Sequence, residues 1–131
     1  CGNEGMVAWK KISFPSDATD ILSVGAVTPM RKNASFCSLG PSADGRVKPD
    51  VMAQGSPTMV VTERGTISSD MGTSFASPLI AGMTACLWQK FPSMTALQLM
   101  DMIRRSGSNV AHPDNVYGYG IPDFGSIRGD E

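Results

Sequence analysis

The sequence predicts an α/β layered domain in which short apolar strands precede a long apolar helix. Short runs of strand length lie at Ile21–Val27, which contains β-branched residues, and at Asp50–Ala53. A helical pattern then covers Ser74 to Phe91, and an amphipathic helical pattern follows it. Buried strands combined with apolar helices are typical of a mostly parallel sheet that helices cover.

The composition indicates one ordinary globular domain. The 131 residues include 41% hydrophobic and 18% charged residues, with 11 basic and 12 acidic side chains. The resulting net charge of −1 argues against nucleic acid and anionic membrane surfaces as partners. No apolar stretch is long enough to span a membrane. Because the chain begins with Cys1 and shows no signal peptide, we expect it to be a fragment.

The strands are predicted from short apolar runs bounded by turn residues. Residues 1–20 are rich in loop-forming residues, and Pro29 follows the first strand. Glycine and proline punctuate residues 35–49, which are therefore expected to form a loop. Residues 58–70 predict two short strands around a turn at Arg64-Gly65.

The helical segment from Ser74 to Phe91 is apolar on nearly every face. A helix of this kind in a soluble protein is expected to be buried all round. Phe91 precedes a proline and should end the helix. The apolar residues are Leu79, Ile80, Ala81, Met83, Ala85, Cys86, Leu87 and Trp88.

The second helix is predicted from a capping pair and one apolar stripe. Thr95 with Gln98 three residues later is the pattern of a capping box. Gly107 is expected to end the helix in a left-handed conformation. The stripe repeats at i, i+3, i+4 and i+7, and it consists of Ala96, Leu99, Met100 and Ile103.

Ser74 lies where a loop meets the start of the first helix. A serine hydroxyl there can simply cap the helix. Alternatively, the free N–H groups and the positive end of the helix dipole could stabilise negative charge that develops beside Ser74. Gly72 would then let a substrate backbone approach closely.

Six segments, taken in chain order, resemble the subtilisin-like serine proteases (subtilases). They are "CGNEG", "ILSVGAV", "ASFCSLGP", "KPDVMAQG", "GTSFASPLIAG" and "YGYGIPDF". The resemblance implies that residues 1–131 are the C-terminal portion of one subtilisin-like catalytic domain. It also implies a three-layer fold with a mostly parallel sheet and a buried central helix that starts at Ser74.

The resemblance assigns catalytic roles by position. Ser74 matches the nucleophile, and the side-chain amide of Asn3 matches a donor to the oxyanion. The backbone N–H of Ser74 would be the second donor, and the Thr73 hydroxyl would add support. The alternative for Asn3 is a turn residue, since it lies between glycines.

The resemblance also implies a substrate-binding set, which consists of Gly2, Glu4, Ser13 and Gly72. Glu4 and Ser13 fall near the rim and floor of the primary specificity pocket. A glutamate at the rim would favour a basic or polar substrate side chain. The alternative is an ordinary solvated glutamate.

The residues needed to activate Ser74 are not evident in the sequence. In subtilases the chain order is Asp, His, Ser, and both partners precede the asparagine. The single histidine, His112, follows Ser74 and lacks the family's His-Gly context, so it is interpreted as a loop residue. Asp50 is interpreted as a structural residue, and Asp70 is interpreted as a loop residue without a recognised catalytic partner. We therefore expect an active serine endopeptidase as the parent protein and no activity of this chain alone.

Further expectations follow for cofactors and partners. The resemblance implies a polypeptide substrate, no required cofactor and a secreted or cell-envelope parent. Some relatives hold a weak cation near Phe14-Pro15, but no cluster of carboxylates in the sequence supports one. Cys1, Cys37 and Cys86 with one histidine argue against a zinc site. The chain is expected to self-associate through exposed strand edges and apolar surface.

Two other functions remain as alternatives. A non-catalytic binding or scaffold module could keep the fold, but it would need neither Ser74 nor Asn3. An esterase of another fold would show G-x-S-x-G around its nucleophile. Here Thr73 precedes Ser74, and Ala76 stands where the second glycine would be.

Overall fold

A computed structural model describes residues 1–129 and contains four strands and two helices. This arrangement confirms the predicted α/β class, and each predicted element is present within a few residues. In chain order the elements are β1 (Val24–Val27), β2 (Val51–Gln54), β3 (Thr58–Val61), β4 (Ile67–Asp70), α1 (Thr73–Lys90) and α2 (Ala96–Arg105).

The parallel pair β1–β2 lies at the centre of the core. Val24 lies opposite Val51, and the register continues to Val27 opposite Gln54. Apart from Gln54, the residues of both strands are buried, as expected for apolar runs without polar alternation. Helix α1 packs against both strands and also contacts α2. This layering places the start of α1 beside the ends of the strands.

Strands β3 and β4 form an antiparallel hairpin that leads into α1. Its turn confirms the prediction at Arg64-Gly65, because Thr62 N–H donates to the Thr66 carbonyl at 2.8 Å and Gly65 has φ 74°. The chain then passes through Gly72, whose N–H donates to the Gly55 carbonyl at 2.8 Å. This bond ties the helix start to the end of β2.

Helix α1 differs from its prediction in two respects. It begins at Thr73 rather than Ser74, and it is not buried all round. Its outer residues Leu79, Met83 and Trp88 are 45–48% exposed. The reason is geometric: within residues 1–129, only β1, β2 and α2 make substantial packing against the helix, so one stripe is covered. The buried residues of α1 are Thr73, Ala76, Ile80 and Leu87.

Helix α2 confirms the capping box. Thr95 N–H donates to Gln98 Oε1 at 2.8 Å, and Gln98 N–H donates to Thr95 Oγ1 at 3.3 Å. The expected left-handed stop at Gly107 is wrong, because Ser106 caps the helix in a right-handed conformation. Gly107 is needed for another reason: a Cβ there would collide with the Tyr119 carbonyl oxygen.

Asp50 holds the sheet to α2 through a buried cluster. Its carboxylate accepts hydrogen bonds from Ser23 N–H and Oγ at 2.8 and 3.1 Å. Lys48 Nζ lies 2.7 Å from Oδ2, and Arg104 Nε lies 2.8 Å from Oδ1. These contacts support the structural interpretation of Asp50. Within the described part of the chain, no helix is long and apolar enough to cross a membrane.

Candidate active site

The candidate site lies at the N-terminus of α1. Gly72 occupies the N-cap position with φ 159°, and no side chain of its own caps the helix. Ser74 is the second residue of the helix and is exposed. Among residues 1–129, no hydrogen bond uses the Ser74 hydroxyl. The capping alternative for Ser74 is therefore wrong, and its hydroxyl remains available.

Asn3 supplies the missing cap from a distant part of the chain. Its Oδ1 accepts hydrogen bonds from Thr73 N–H and from Thr73 Oγ1, both at 3.0 Å. The contact joins residues 70 positions apart in sequence. In return, Gly2 N–H donates to Thr73 Oγ1 at 3.2 Å. Because Oδ1 of Asn3 is held by this tertiary contact, the direction of the Nδ2 group on the same planar amide is also set.

Two donors near the start of α1 have no acceptor within residues 1–129. Because Oδ1 faces Thr73, Nδ2 points elsewhere, and it meets no acceptor among the described residues. The backbone N–H of Ser74 is also unpaired in residues 1–129. A Cβ at Gly72 would lie 3.6 Å from Asn3 Nδ2, so glycine leaves the space beside the amide open. Two donors at a helix N-terminus can stabilise a developing oxyanion.

Thr73 contacts the site through Asn3. The residue is only 5% exposed, and its hydroxyl both accepts from Gly2 and donates to Asn3 Oδ1. Since a hydroxyl has one proton, this proton is committed to Asn3. The geometry makes Thr73 a residue that orients the Asn3 amide.

The predicted substrate-binding residues divide into two groups. Gly2 and Gly72 lie at the site, where Gly2 also accepts from Ser38 N–H at 2.9 Å. Glu4 is exposed, its N–H donates to Ser38 Oγ at 2.9 Å, and its carboxylate forms no ion pair within the described chain. Ser13 lies in an exposed turn, and no hydrogen bond of residues 1–129 joins it to the site.

No base contacts Ser74 in this part of the protein. His112 is exposed in the loop after α2, and its ring forms no hydrogen bond with any described residue. Asp70 accepts from Met71 N–H at 2.8 Å at the end of β4. The described residues therefore bring together a hydroxyl and two anion donors without a proton acceptor. No group of three His, Cys, Asp or Glu side chains among them is arranged to hold a metal.

Sequence reasoning missed how Asn3 and Thr73 are joined. The two residues lie in separate motifs, and nothing local to either one indicates a bond across 70 positions. It also missed the approach of the Cys1 and Cys37 thiols, whose Sγ atoms lie 3.2 Å apart. The order of the family's motifs was the only sequence signal that placed Asn3 and Thr73 in one site.

The sequence matches a known family over most of its length. The profile of the Subtilase family matches residues 1–120. The chain is 31% identical over 121 residues to Subtilisin DY from Bacillus licheniformis, covering 92% of this chain and 42% of that protein. It is 32% identical over 120 residues to Subtilisin E from Bacillus subtilis (strain 168), covering 91% and 29%. The chain thus spans less than half the length of these curated relatives.

Solved structures share the fold. The MycP3 protease from the type VII (ESX-3) secretion system matches with a TM-score of 0.71 and 26% identity, covering 91% of this chain and 35% of that one. The CspB protease of Clostridium perfringens matches with a TM-score of 0.79 and 21% identity, covering 87% and 27%. The solved structures agree with the profile match. Because that profile covers residues 1–120, the chain belongs to the subtilase family.

Proposed function

We propose that the intact parent protein is a serine endopeptidase in which Ser74 attacks the carbonyl carbon of a peptide bond and forms an acyl-enzyme. One observation carries the proposal: at the start of α1 the exposed Ser74 hydroxyl follows Thr73, which binds Asn3, and neither Asn3 Nδ2 nor Ser74 N–H has an acceptor within residues 1–129. Family membership supports the same reaction class.

In this proposal the donors stabilise the tetrahedral intermediate. Attack by Ser74 places negative charge on the former carbonyl oxygen, and Asn3 Nδ2 and Ser74 N–H donate to it. Each donor is held before the reaction, so little reorganisation is needed. Loss of one such side-chain donor costs about 3 kcal/mol of transition-state stabilisation, a magnitude that comes from subtilisin itself rather than from this chain.

The proposal requires a base from the parent protein. Ser74 must lose its hydroxyl proton as it attacks, and the 131 residues contain one histidine, which does not contact it. By the family's chain order, the base and its orienting Asp belong to sequence upstream of Asn3. We therefore propose that the parent is active and that this chain alone hydrolyses no peptide.

The proposed substrate is a polypeptide, and the parent is proposed to be secreted or held in the cell envelope. Glu4 is exposed next to Asn3 and carries a carboxylate free of ion pairs within residues 1–129, so a basic or polar substrate side chain would complement it. Secretion of the parent is included in the proposal because the resemblance to subtilisins implies it.

The test of the function is covalent labelling with a fluorophosphonate. In the intact parent the probe should label Ser74, and Ser74→Ala should abolish labelling. Ser77→Ala is a matched control, because Ser77 is an exposed serine of the same helix, and it should leave labelling intact. The isolated chain should not be labelled. Labelling that survives Ser74→Ala would refute the assignment, and an unlabelled intact parent would favour the non-catalytic binding module.

We also propose that this chain forms a dimer with a second copy of itself. The exposed side of α1 borders an apolar groove of about 390 Å³ whose lining includes Leu22, Ile80, Trp88, Leu99 and Met100. Sedimentation velocity should show a dimer that Trp88→Lys dissociates. Leu97→Lys, at an exposed leucine outside this groove, should leave the dimer intact. A monomer at every concentration would contradict the proposal.

A further inference from the structure

Two cysteines outside the proposed catalytic chemistry lie in direct contact. The Sγ atoms of Cys1 and Cys37 are 3.2 Å apart, and both thiols are free. Cys37 is fully buried and accepts a hydrogen bond from Ala26 N–H at 3.3 Å, whereas Cys1 is half-buried. A disulfide needs the sulfur atoms at about 2.05 Å, so a movement of about 1 Å would bring them to bonding distance.

We propose that Cys1 and Cys37 are a redox-active thiol pair, which a small-molecule disulfide such as glutathione disulfide oxidises to an intramolecular disulfide. This inference goes beyond the proposed function, since it needs neither Ser74 nor a base.

The reaction proceeds in two exchange steps. The Cys1 thiolate attacks one sulfur of glutathione disulfide, so that a mixed disulfide forms and one glutathione thiolate leaves and takes a proton. Cys37 then gives up its proton to solvent and attacks Cys1 Sγ, which releases the second glutathione. Overall, two protein thiols are oxidised and one glutathione disulfide is reduced to two glutathione molecules.

The two thiols are unequal, and this sets the order of the steps. Burial raises the pKa of the Cys37 thiol, although the hydrogen bond from Ala26 opposes the shift. Cys1 is the accessible member and reacts with the external disulfide. Cys37 is shielded from that reagent but is in contact with Cys1, so it acts as the resolving thiol.

The new bond would fix the segment that carries Asn3. Residues 1–5 already bind the loop around Cys37, because Ser38 N–H donates to the Gly2 carbonyl at 2.9 Å and Gly5 N–H donates to the Phe36 carbonyl at 2.8 Å. Cys1 lies two residues before Asn3. A covalent bond at this point restricts how far the Asn3 segment can separate from the loop.

The experiment uses the chain with Cys86→Ser, which removes the exposed third thiol on α1 and with it intermolecular exchange at that position. After treatment with glutathione disulfide, intact mass should fall by two hydrogen atoms, and peptide mapping without reductant should recover Cys1 linked to Cys37. The melting temperature should rise by several degrees, and dithiothreitol should reverse both changes.

Single variants in the same background separate the two roles. Cys37→Ala should retain one glutathione on Cys1, whereas Cys1→Ala should gain none because Cys37 is buried. Circular dichroism of each variant before treatment establishes that it is folded. A stable glutathione adduct on Cys1 of the Cys86→Ser chain, or two thiols that remain free after treatment, would overturn the proposal.

Discussion

The chain builds two polar clusters from distant segments, one around Asp50 and one around Asn3. In the first, four donors surround a carboxylate that is 4% exposed, and both of its oxygens are used. In the second, Oδ1 of Asn3 is used by Thr73 while Nδ2 and the Ser74 N–H have no partner within residues 1–129.

The two clusters differ in whether their hydrogen bonds leave polar atoms without a partner within residues 1–129. A buried carboxylate with its oxygens occupied has no capacity for a ligand and can only join the segments around it. An exposed amide with one end held and the other free is oriented without being saturated. Polar side chains therefore stabilise the fold in one cluster and, in our proposal, perform chemistry in the other.

The largest effect is expected when the buried cluster is broken. Asp50→Asn leaves Lys48 and Arg104 without their counter-charge, and Lys48 is only 2% exposed. Removing one partner of a buried ion pair costs about 3–5 kcal/mol, so the free energy of unfolding in urea should fall by about that amount. Asp101→Asn breaks the exposed pair with Arg105 and should hardly move the urea midpoint. An equally small shift for Asp50→Asn would mean that the cluster stabilises little.

The next effect separates the two ends of the Asn3 amide. Asn3→Asp keeps an oxygen that can accept from Thr73 N–H but replaces the Nδ2 donor with an acceptor. In the intact parent, kcat should fall by about 100–1,000-fold, while the melting temperature is unchanged or higher because a carboxylate suits a helix N-terminus. A fall in melting temperature at full kcat would instead make Asn3 a cap alone.

Local patterns in the sequence predicted the strands, helices and turns, but they did not predict the hydrogen bonds of the two polar clusters. The capping box of α2 and the turn at Gly65 depend on residues within a few positions, and both were predicted correctly. The Arg104–Asp50 pair spans 54 positions, and no local signal selects Arg104 over Arg105. The exposure of α1 likewise depends on which elements pack against it. The site residues came from motif resemblance, and their hydrogen bonds came only from the structure.

A smaller effect is expected at Thr73, which links Asn3 to Gly2. Thr73→Val keeps the shape and removes the hydroxyl, so the Gly2 N–H loses its acceptor and Asn3 Oδ1 loses one of two donors. Loss of a partly buried hydrogen-bond partner costs about 1–3 kcal/mol. Thermal unfolding should show this loss, and Thr73→Ser should recover most of it. If Thr73→Ser is as destabilised as Thr73→Val, the methyl packing matters and the hydrogen bonds do not.

The smallest effect on stability is expected at an exposed ion pair, which shows how much a carboxylate contributes to stability when it is not buried. The Arg46 side chain and then the Ser42 hydroxyl lower the pKa of Asp44 to about 2 through hydrogen bonds. Because the folded pKa lies below the unfolded one, any stabilisation exists above the unfolded value and is lost as pH falls through about 2. Carbon-detected NMR titration of the Asp44 carboxyl should report this pKa, and Arg46→Gln should raise it towards its ordinary range. The urea midpoint should scarcely change in that variant, because solvent screens an exposed pair. The expected loss of stability is therefore much larger at the buried carboxylate of Asp50 than at Asp44.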